Sequence, residues 1–158
     1  MADIYTRAKR SEVMSRVRGR GNRRTELALI SVFRKAGIIG WRRNLPMFGK
    51  PDLVFRRQRL AVFVDGCFWH GCPKHATWPA HRAAWWRRKL EGNRARDRKV
   101  NRALRATGWR VVRIWEHELP KRGTRNAERG TDRTQRGTRN AERGMARIRK
   151  ALAAASQG

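Results

Sequence analysis

The 158-residue sequence is poor in acid: 12 Asp and Glu stand against 40 Lys and Arg, a formal net charge of +28. A folded chain with that excess repels itself unless it meets a polyanion. Nucleic acid is the partner that fits, because bound cations release counterions condensed on the phosphates. Thirty-two of the 40 basic residues are Arg. A GC-rich genome could favour Arg over Lys, but it would not remove the acids. Cysteine is also scarce, with only Cys67 and Cys72. A disulfide scaffold is therefore not indicated, and a reducing compartment is expected. No stretch approaches the ~20 apolar residues that span a bilayer. The opening MADIYTRAKR has no apolar run, so no secretory signal is expected. The expectation is a cytoplasmic, nucleoid-associated protein with no membrane partner.

Apolar residues make up 39% of the chain, enough for one compact domain. Ser11 can cap a short basic helix to about Arg18. A second helix is expected from about Thr25 to Ala36, with Leu27, Ile30, Val32 and Phe33 as its apolar positions and Gly37 as its stop. Extended segments follow at 38–45, 53–55 and 60–64. Leu60-Ala61-Val62-Phe63-Val64 is apolar without alternation, the pattern of a strand covered on both faces. A long helix fits 80–106, because Trp86, Leu90, Asn93, Asp97, Val100 and Leu104 share one face. It would cross over to a last strand at 111–115. The fold class is α/β, a mixed central sheet flanked by helices.

The nonapeptide RGTRNAERG occurs twice, at 122–130 and 136–144. Two polar copies are too few for a solenoid, so 121–144 reads as an Arg-rich duplicated insert without order of its own. A closing helix is expected from Met145. The domain then comprises residues 1–120, with a DNA-binding segment at 1–20, and is completed by 145–158.

The chemically informative block is Asp65-Gly66-Cys67-Phe68-Trp69-His70-Gly71-Cys72-Pro73-Lys74-His75, directly after the apolar strand. Sites gather at strand ends in covered sheets. Cys72 and His75 have the spacing of a zinc pair, and Asp97 and His117 could complete a closed tetrahedral set. Equally, Asp97 could pair with an arginine and His117 lie on the surface. Pro51-Asp52 opens a short strand as in metal-dependent nucleases, where the Asp holds Mg²⁺ against the scissile phosphate. The acid and Lys usual in the next strand are missing from LAVFV, and Asp65 is the nearest acid. His70 or Glu26 would have to do the work of that Lys. Phosphodiester hydrolysis needs a metal at the phosphate and a group that moves a proton, which His70 can do near neutral pH. Phe68, Trp69 and Trp86 could wedge between base steps, which is easier where a mismatch has loosened the stack. Spacing alone favours placing these three in a core.

Phe48-Gly49-Lys50-Pro51-Asp52, VFVDGCFWHGCP at 62–73, Trp86 with Asn93-Arg94-Ala95-Arg96-Asp97, and GWRVVRIWEHEL at 108–119 together resemble the very-short-patch-repair (Vsr) mismatch endonucleases. MAD at the start and Arg10-Ser11 followed by Met14 add to the likeness. The resemblance implies a single-domain restriction-endonuclease-like fold. It implies nicking 5′ of the mismatched T in T:G pairs left by deamination of 5-methylcytosine, with a functional link to a cytosine-5 methyltransferase. Position by position, it makes Asp52 and the Val64 main-chain carbonyl ligands of catalytic Mg²⁺, His70 the catalytic histidine and Glu26 an acid assisting through water. Phe68, Trp69 and Trp86 become the wedge, and Met14 enters from the other groove. Cys72, His75, Asp97 and His117 fall at zinc-ligand positions. A monomer acting on double-stranded DNA is implied, since one nick needs one site. The best-known member has His where Asp65 stands, and the insert at 121–144 is foreign to the family. Two other readings remain at this point: a related nuclease of different specificity, and a non-catalytic basic zinc module that only binds nucleic acid.

Overall fold

The computed structural model describes residue 12 and residues 25–77, 80, 82–119 and 132–155, with side chains in the last segment from 140 onward. Of the short basic helix expected at 11–18 only Glu12 is described, and it is helical; Met14 lies outside the described residues. The elements run α1 (Glu26–Lys35), β1 (Trp41–Arg43), β2 (Leu53–Phe55), β3 (Leu60–Asp65), α2 (Ala83–Ala106), β4 (Arg110–Trp115), a 3₁₀ turn (Glu116–Glu118) and α3 (Asp132–Ala155).

The four strands form one sheet in the order β1-β2-β3-β4. β1, β2 and β3 pair antiparallel, and β3 pairs parallel with β4, Asp65 opposite Trp115. A parallel pair needs a crossover, and α2 supplies it. Along β3, Leu60 and Val62 join Leu29, Ile30 and Phe33 of α1 and Ile148 of α3 in one core, while Ala61 and Phe63 meet Val100 and Leu104 of α2 in another. The unbroken apolar run of β3 therefore has its cause in helices on both faces. This mixed sheet between helix layers is the restriction-endonuclease-like α/β architecture.

Two boundaries differ from the sequence reading. The crossover helix begins at Ala83 rather than 80, because Arg82 takes a left-handed conformation at its start (φ 56°). The closing helix begins at Asp132, not Met145, so the second nonapeptide copy is helical rather than lacking order. Ile148 is fully buried and Met145, Ala151 and Leu152 pack around the same core, which anchors the helix. Once a helix is nucleated by packing, extending it through polar residues costs little. Ala141 and Gly144 continue the inward stripe back into the repeat.

Two glycines have opposite meanings. Gly49 takes φ +79°, and a Cβ there would collide with Val100. Gly92 lies inside α2 with open space around it. Gly92→Ala is expected to raise unfolding stability by about 0.5–1 kcal/mol. Gly49→Ala is expected to lower it by more than about 2 kcal/mol. Urea unfolding of both variants checks the pair.

Candidate active site and metal centre

Three chain segments converge at one end of the sheet. Because β2 is antiparallel to β3, the start of β2 lies beside the end of β3, and Asp52 just before β2 meets Val64. The Val64 amide donates to Asp52 Oδ2 at 2.7 Å. In an extended strand a residue's N–H and C=O point to the same side, so the Val64 carbonyl is directed to the β2 side of β3 as well. Burial pushes the Asp52 carboxyl up to about 6. The Val64 hydrogen bond opposes that shift, and the neighbouring Glu26 and Asp65 carboxylates add to it. Glu26 opens α1, is buried, and pairs with Arg43 of β1 at 2.7 Å. A carboxylate crowded by other carboxylates is well disposed to hold a divalent cation.

His70 sits in the loop after β3, and its Nδ1 lies 2.6 Å from Asp97 Oδ2. Burial raises the Asp97 carboxyl, but the His70 hydrogen bond and the His70, Arg113 and Arg96 charges outweigh burial and hold it below the usual carboxylate range. Asp97 is therefore the acceptor and Nδ1 carries the hydrogen, which leaves Nε2 as the other working nitrogen. The loop itself is pinned to α2. Asn93 donates to the Trp69 carbonyl at 2.8 Å, and Arg94 donates to the carbonyls of His70 and Gly71. Gly71 has φ +61°, and a Cβ there would strike the Arg94 guanidinium.

Phe68, Trp69 and Trp86 form one cluster, with centroids 5.1 Å apart for Phe68–Trp69 and Phe68–Trp86 and 6.0 Å for Trp69–Trp86. None of the three is buried; all are half-exposed. They are not part of the hydrophobic core, contrary to what spacing alone favoured. Trp85 packs edge-on to Trp86 at 4.7 Å and is more exposed still.

A second group is shared between the same loop and the 3₁₀ turn after β4. Cys67, Cys72, His75 and His117 offer ligand atoms all within 4.8 Å of one another. Cys67 Sγ and Cys72 Sγ are 3.2 and 3.6 Å from His117 Nδ1, and Cys72 Sγ is 3.8 Å from His75 Nδ1. Ligands on a tetrahedron around zinc stand about 3.3–3.8 Å apart, so these residues fit such an ion. Burial, more than the neighbouring Cys72, pushes the Cys67 thiol up to about 11. Burial and then the neighbouring His75 lower His117.

The ligand set read from the sequence is thus altered. Cys72, His75 and His117 come together, but Asp97 does not join them. It is occupied by His70 and by Arg113, whose Nη2 lies 2.9 Å from Asp97 Oδ1. Cys67 takes the fourth place. The physical reason is the loop winding: Cys72 N–H donates to the Cys67 carbonyl at 2.8 Å, which brings both sulfurs to one side. The signal available was the second cysteine itself, five residues before Cys72. Arg113, which ties Asp65 to Asp97, gave no sequence signal among 32 arginines.

Comparison with known proteins says what is built on this frame: a DNA endonuclease, hydrolysing phosphodiester bonds. The profile of the family DNA mismatch endonuclease Vsr matches residues 2–76. Type II nicking enzyme V.XorIIP of Xanthomonas oryzae pv. oryzae is 40% identical over 131 residues, 80% of this chain and 93% of that protein. DNA mismatch endonuclease Vsr of Escherichia coli is 32% identical over 139 residues, 85% of this chain and 86% of that protein. Type II nicking enzyme V.NaeI of Lentzea aerocolonigenes is 54% identical over 69 residues, 44% of this chain and 42% of that protein. The chain belongs to the Vsr family of DNA mismatch endonucleases. Among the described residues, no helix is long and apolar enough to cross a membrane.

The raised Asp52 carboxyl has a consequence for the metal-free protein. Its folded value, about 6, lies above the ordinary 3.8, so the fold favours the protonated form. That stabilisation is full below about pH 4 and is lost as pH rises through 6. Asp52→Asn, which never ionises, is expected to unfold later than the parent at pH 7 without divalent cations, by about 1–3 kcal/mol. The gap is expected to close toward pH 4, as checked by thermal melts across that range.

Proposed function

We propose that this endonuclease makes one single-strand cut on the 5′ side of the mismatched T in a T:G pair, in very short patch repair of deaminated 5-methylcytosine. The observation that carries the reading is the half-exposed Phe68–Trp69–Trp86 cluster on and beside the loop that holds His70. Three rings outside the core, next to a proton-moving pair, suit a nuclease that enters a weakened base stack to reach its phosphate. Met14 is assigned to the opposite groove.

Asp52 and the Val64 carbonyl would hold catalytic Mg²⁺, whose role when bound is to neutralise charge at the scissile phosphate. The chain's own residues do the rest. His70, with Nδ1 tied to Asp97, moves a proton at Nε2. Glu26, paired with Arg43 at 2.7 Å, orients water near Asp52. Exposed bases along α2, Arg87, Arg88, Lys99 and Arg102 among them, meet backbone phosphates without reading sequence. One nick needs one such site, so the enzyme acts as a monomer on double-stranded DNA at the chromosome. Its substrate is supplied where a cytosine-5 methyltransferase has acted. A second reading has the same chemistry applied to other mismatches or to paired sites.

Zinc is assigned to Cys67, Cys72, His75 and His117. Two thiolates and two neutral imidazoles around Zn²⁺ make an electroneutral, closed structural set. Its purpose is to fold the loop that carries Phe68, Trp69 and His70.

The decisive assay uses a labelled duplex with one T:G pair in a CT(A/T)GG context, with Mg²⁺. A single cut 5′ of the T is expected, with none in the T:A duplex or in EDTA. Cutting of the paired duplex would instead establish the second reading. Asp52→Ala and His70→Ala are each expected to slow cleavage at least about 100-fold. For the second metal, elemental analysis is expected to find one zinc per chain and none in Cys67→Ser. The variant is also expected to melt at lower temperature; full zinc retention would overturn the ligand set.

A further inference from the structure

Arg113 of β4 stands opposite Phe63 in the parallel register, on the sheet face that α2 covers. Its guanidinium makes a fork on Asp65, Nε to Oδ2 at 2.6 Å and Nη2 to Oδ1 at 2.7 Å. The same Nη2 reaches Asp97 Oδ1 at 2.9 Å, and Nη1 reaches Asn101 Oδ1 at 3.1 Å. Its Cζ lies 4.6 Å from the centre of the Phe63 ring. Four of its five N–H groups are thus directed, and the plane is backed by an aromatic face.

Two features set this arrangement apart from an ordinary ion pair. Asp97 has its two oxygens divided, Oδ1 to Arg113 and Oδ2 to His70. Asp65 is 4% exposed, and both its oxygens accept from Arg113. The acid nearest to Asp52 in sequence on β3 is therefore committed to a guanidinium and is not free for a cation. His70 Nδ1 is 2.6 Å from Asp97 and 3.7 Å from Asp65, so two carboxylates face one ring nitrogen. Without the guanidinium they would repel each other across it and compete for its hydrogen.

We propose that Arg113 and Asp65 are positioning residues for the His70–Asp97 pair, with Asp65 fixing the plane of Arg113 and Arg113 fixing the carboxylate of Asp97. The chain runs Asp65, Arg113, Asp97, His70, and its output is an imidazole whose Nδ1–H is held on one oxygen and whose Nε2 points one way. This rests on the reading of His70 as the group that moves a proton in phosphodiester hydrolysis.

The first test needs no cleavage. In long-range ¹H–¹⁵N spectra of the full chain, His70, assigned by its loss in His70→Ala, is expected to show the Nδ1–H tautomer with a protected proton. Arg113→Met and Asp65→Asn are each expected to lose that protection while the backbone amide spectrum is kept. Where Arg113→Met loosens the fold, Arg113→Lys keeps the charge but cannot fork, and the same loss is expected. A His70 signal unchanged in these variants overturns the proposal, whatever the enzyme cuts. The second test is single-turnover nicking of the T:G duplex. Arg113→Met is expected to be roughly 10- to 100-fold slower than the parent, with duplex affinity and Mg²⁺ half-saturation unchanged. In a His70→Ala background, removing Arg113 is expected to change nothing further. An equal loss in both backgrounds would mean a merely structural role. A raised Mg²⁺ requirement in Asp65→Asn alone would make Asp65 a metal ligand and sink the proposal. A parent that shows the tautomer but nicks nothing would overturn the functional reading and leave the geometric one standing.

Discussion

The parallel pairing of β3 with β4 is the constraint on which the rest of the molecule depends. With Asp65 opposite Trp115, the loops leaving both strands emerge at one end of the sheet. His117 then stands beside Cys67 and Cys72, although 50 and 45 residues separate them. The antiparallel step from β2 to β3 brings Asp52 to the same end. The crossover that a parallel pair demands is α2, and α2 delivers Asn93, Arg94 and Asp97 to the loop.

Charge is distributed with the same economy. The chain has only 12 acidic residues, and Glu26, Asp52, Asp65 and Asp97 all gather at this end. Arg43 answers Glu26, and Arg113 answers Asp65 and Asp97. Asp52 instead accepts from a neutral amide, and burial pushes its carboxyl up to about 6. Local acidity inside a strongly basic protein separates two tasks. The basic exterior draws in the polyanion, and the acidic interior is where a small cation would be welcome.

Much of this was legible in the residues. β3 could be read as doubly covered from its lack of alternation, and α2 from its three-and-four spacing, because burial leaves a periodic trace. Asp52 and His70 could be singled out because strand ends collect chemistry. What could not be read was which partner a given side chain takes. Asp97 on an inward face needed a cation, and both zinc and arginine satisfied that requirement until β4 placed Arg113 beside it. Cys67 lay in plain view, but its inclusion depends on how the loop winds between 67 and 72. The start of α3 was hidden for a different reason. Polar composition speaks to whether a segment folds alone, whereas helix already seeded by Ile148 can propagate through it.

The long reach between the two strands also bears on the order in which this end of the sheet is assembled. Contacts between segments some fifty residues apart form late, because the intervening chain must be ordered first. His70 precedes α2, Asp97 lies within it, and Arg113 and His117 follow it. A chain still emerging from the ribosome, or one cut short before β4, has Asp52, His70 and Asp97 but lacks Arg113 and His117. The arrangement around His70 and Cys67 is thus complete only once β4 has paired with β3.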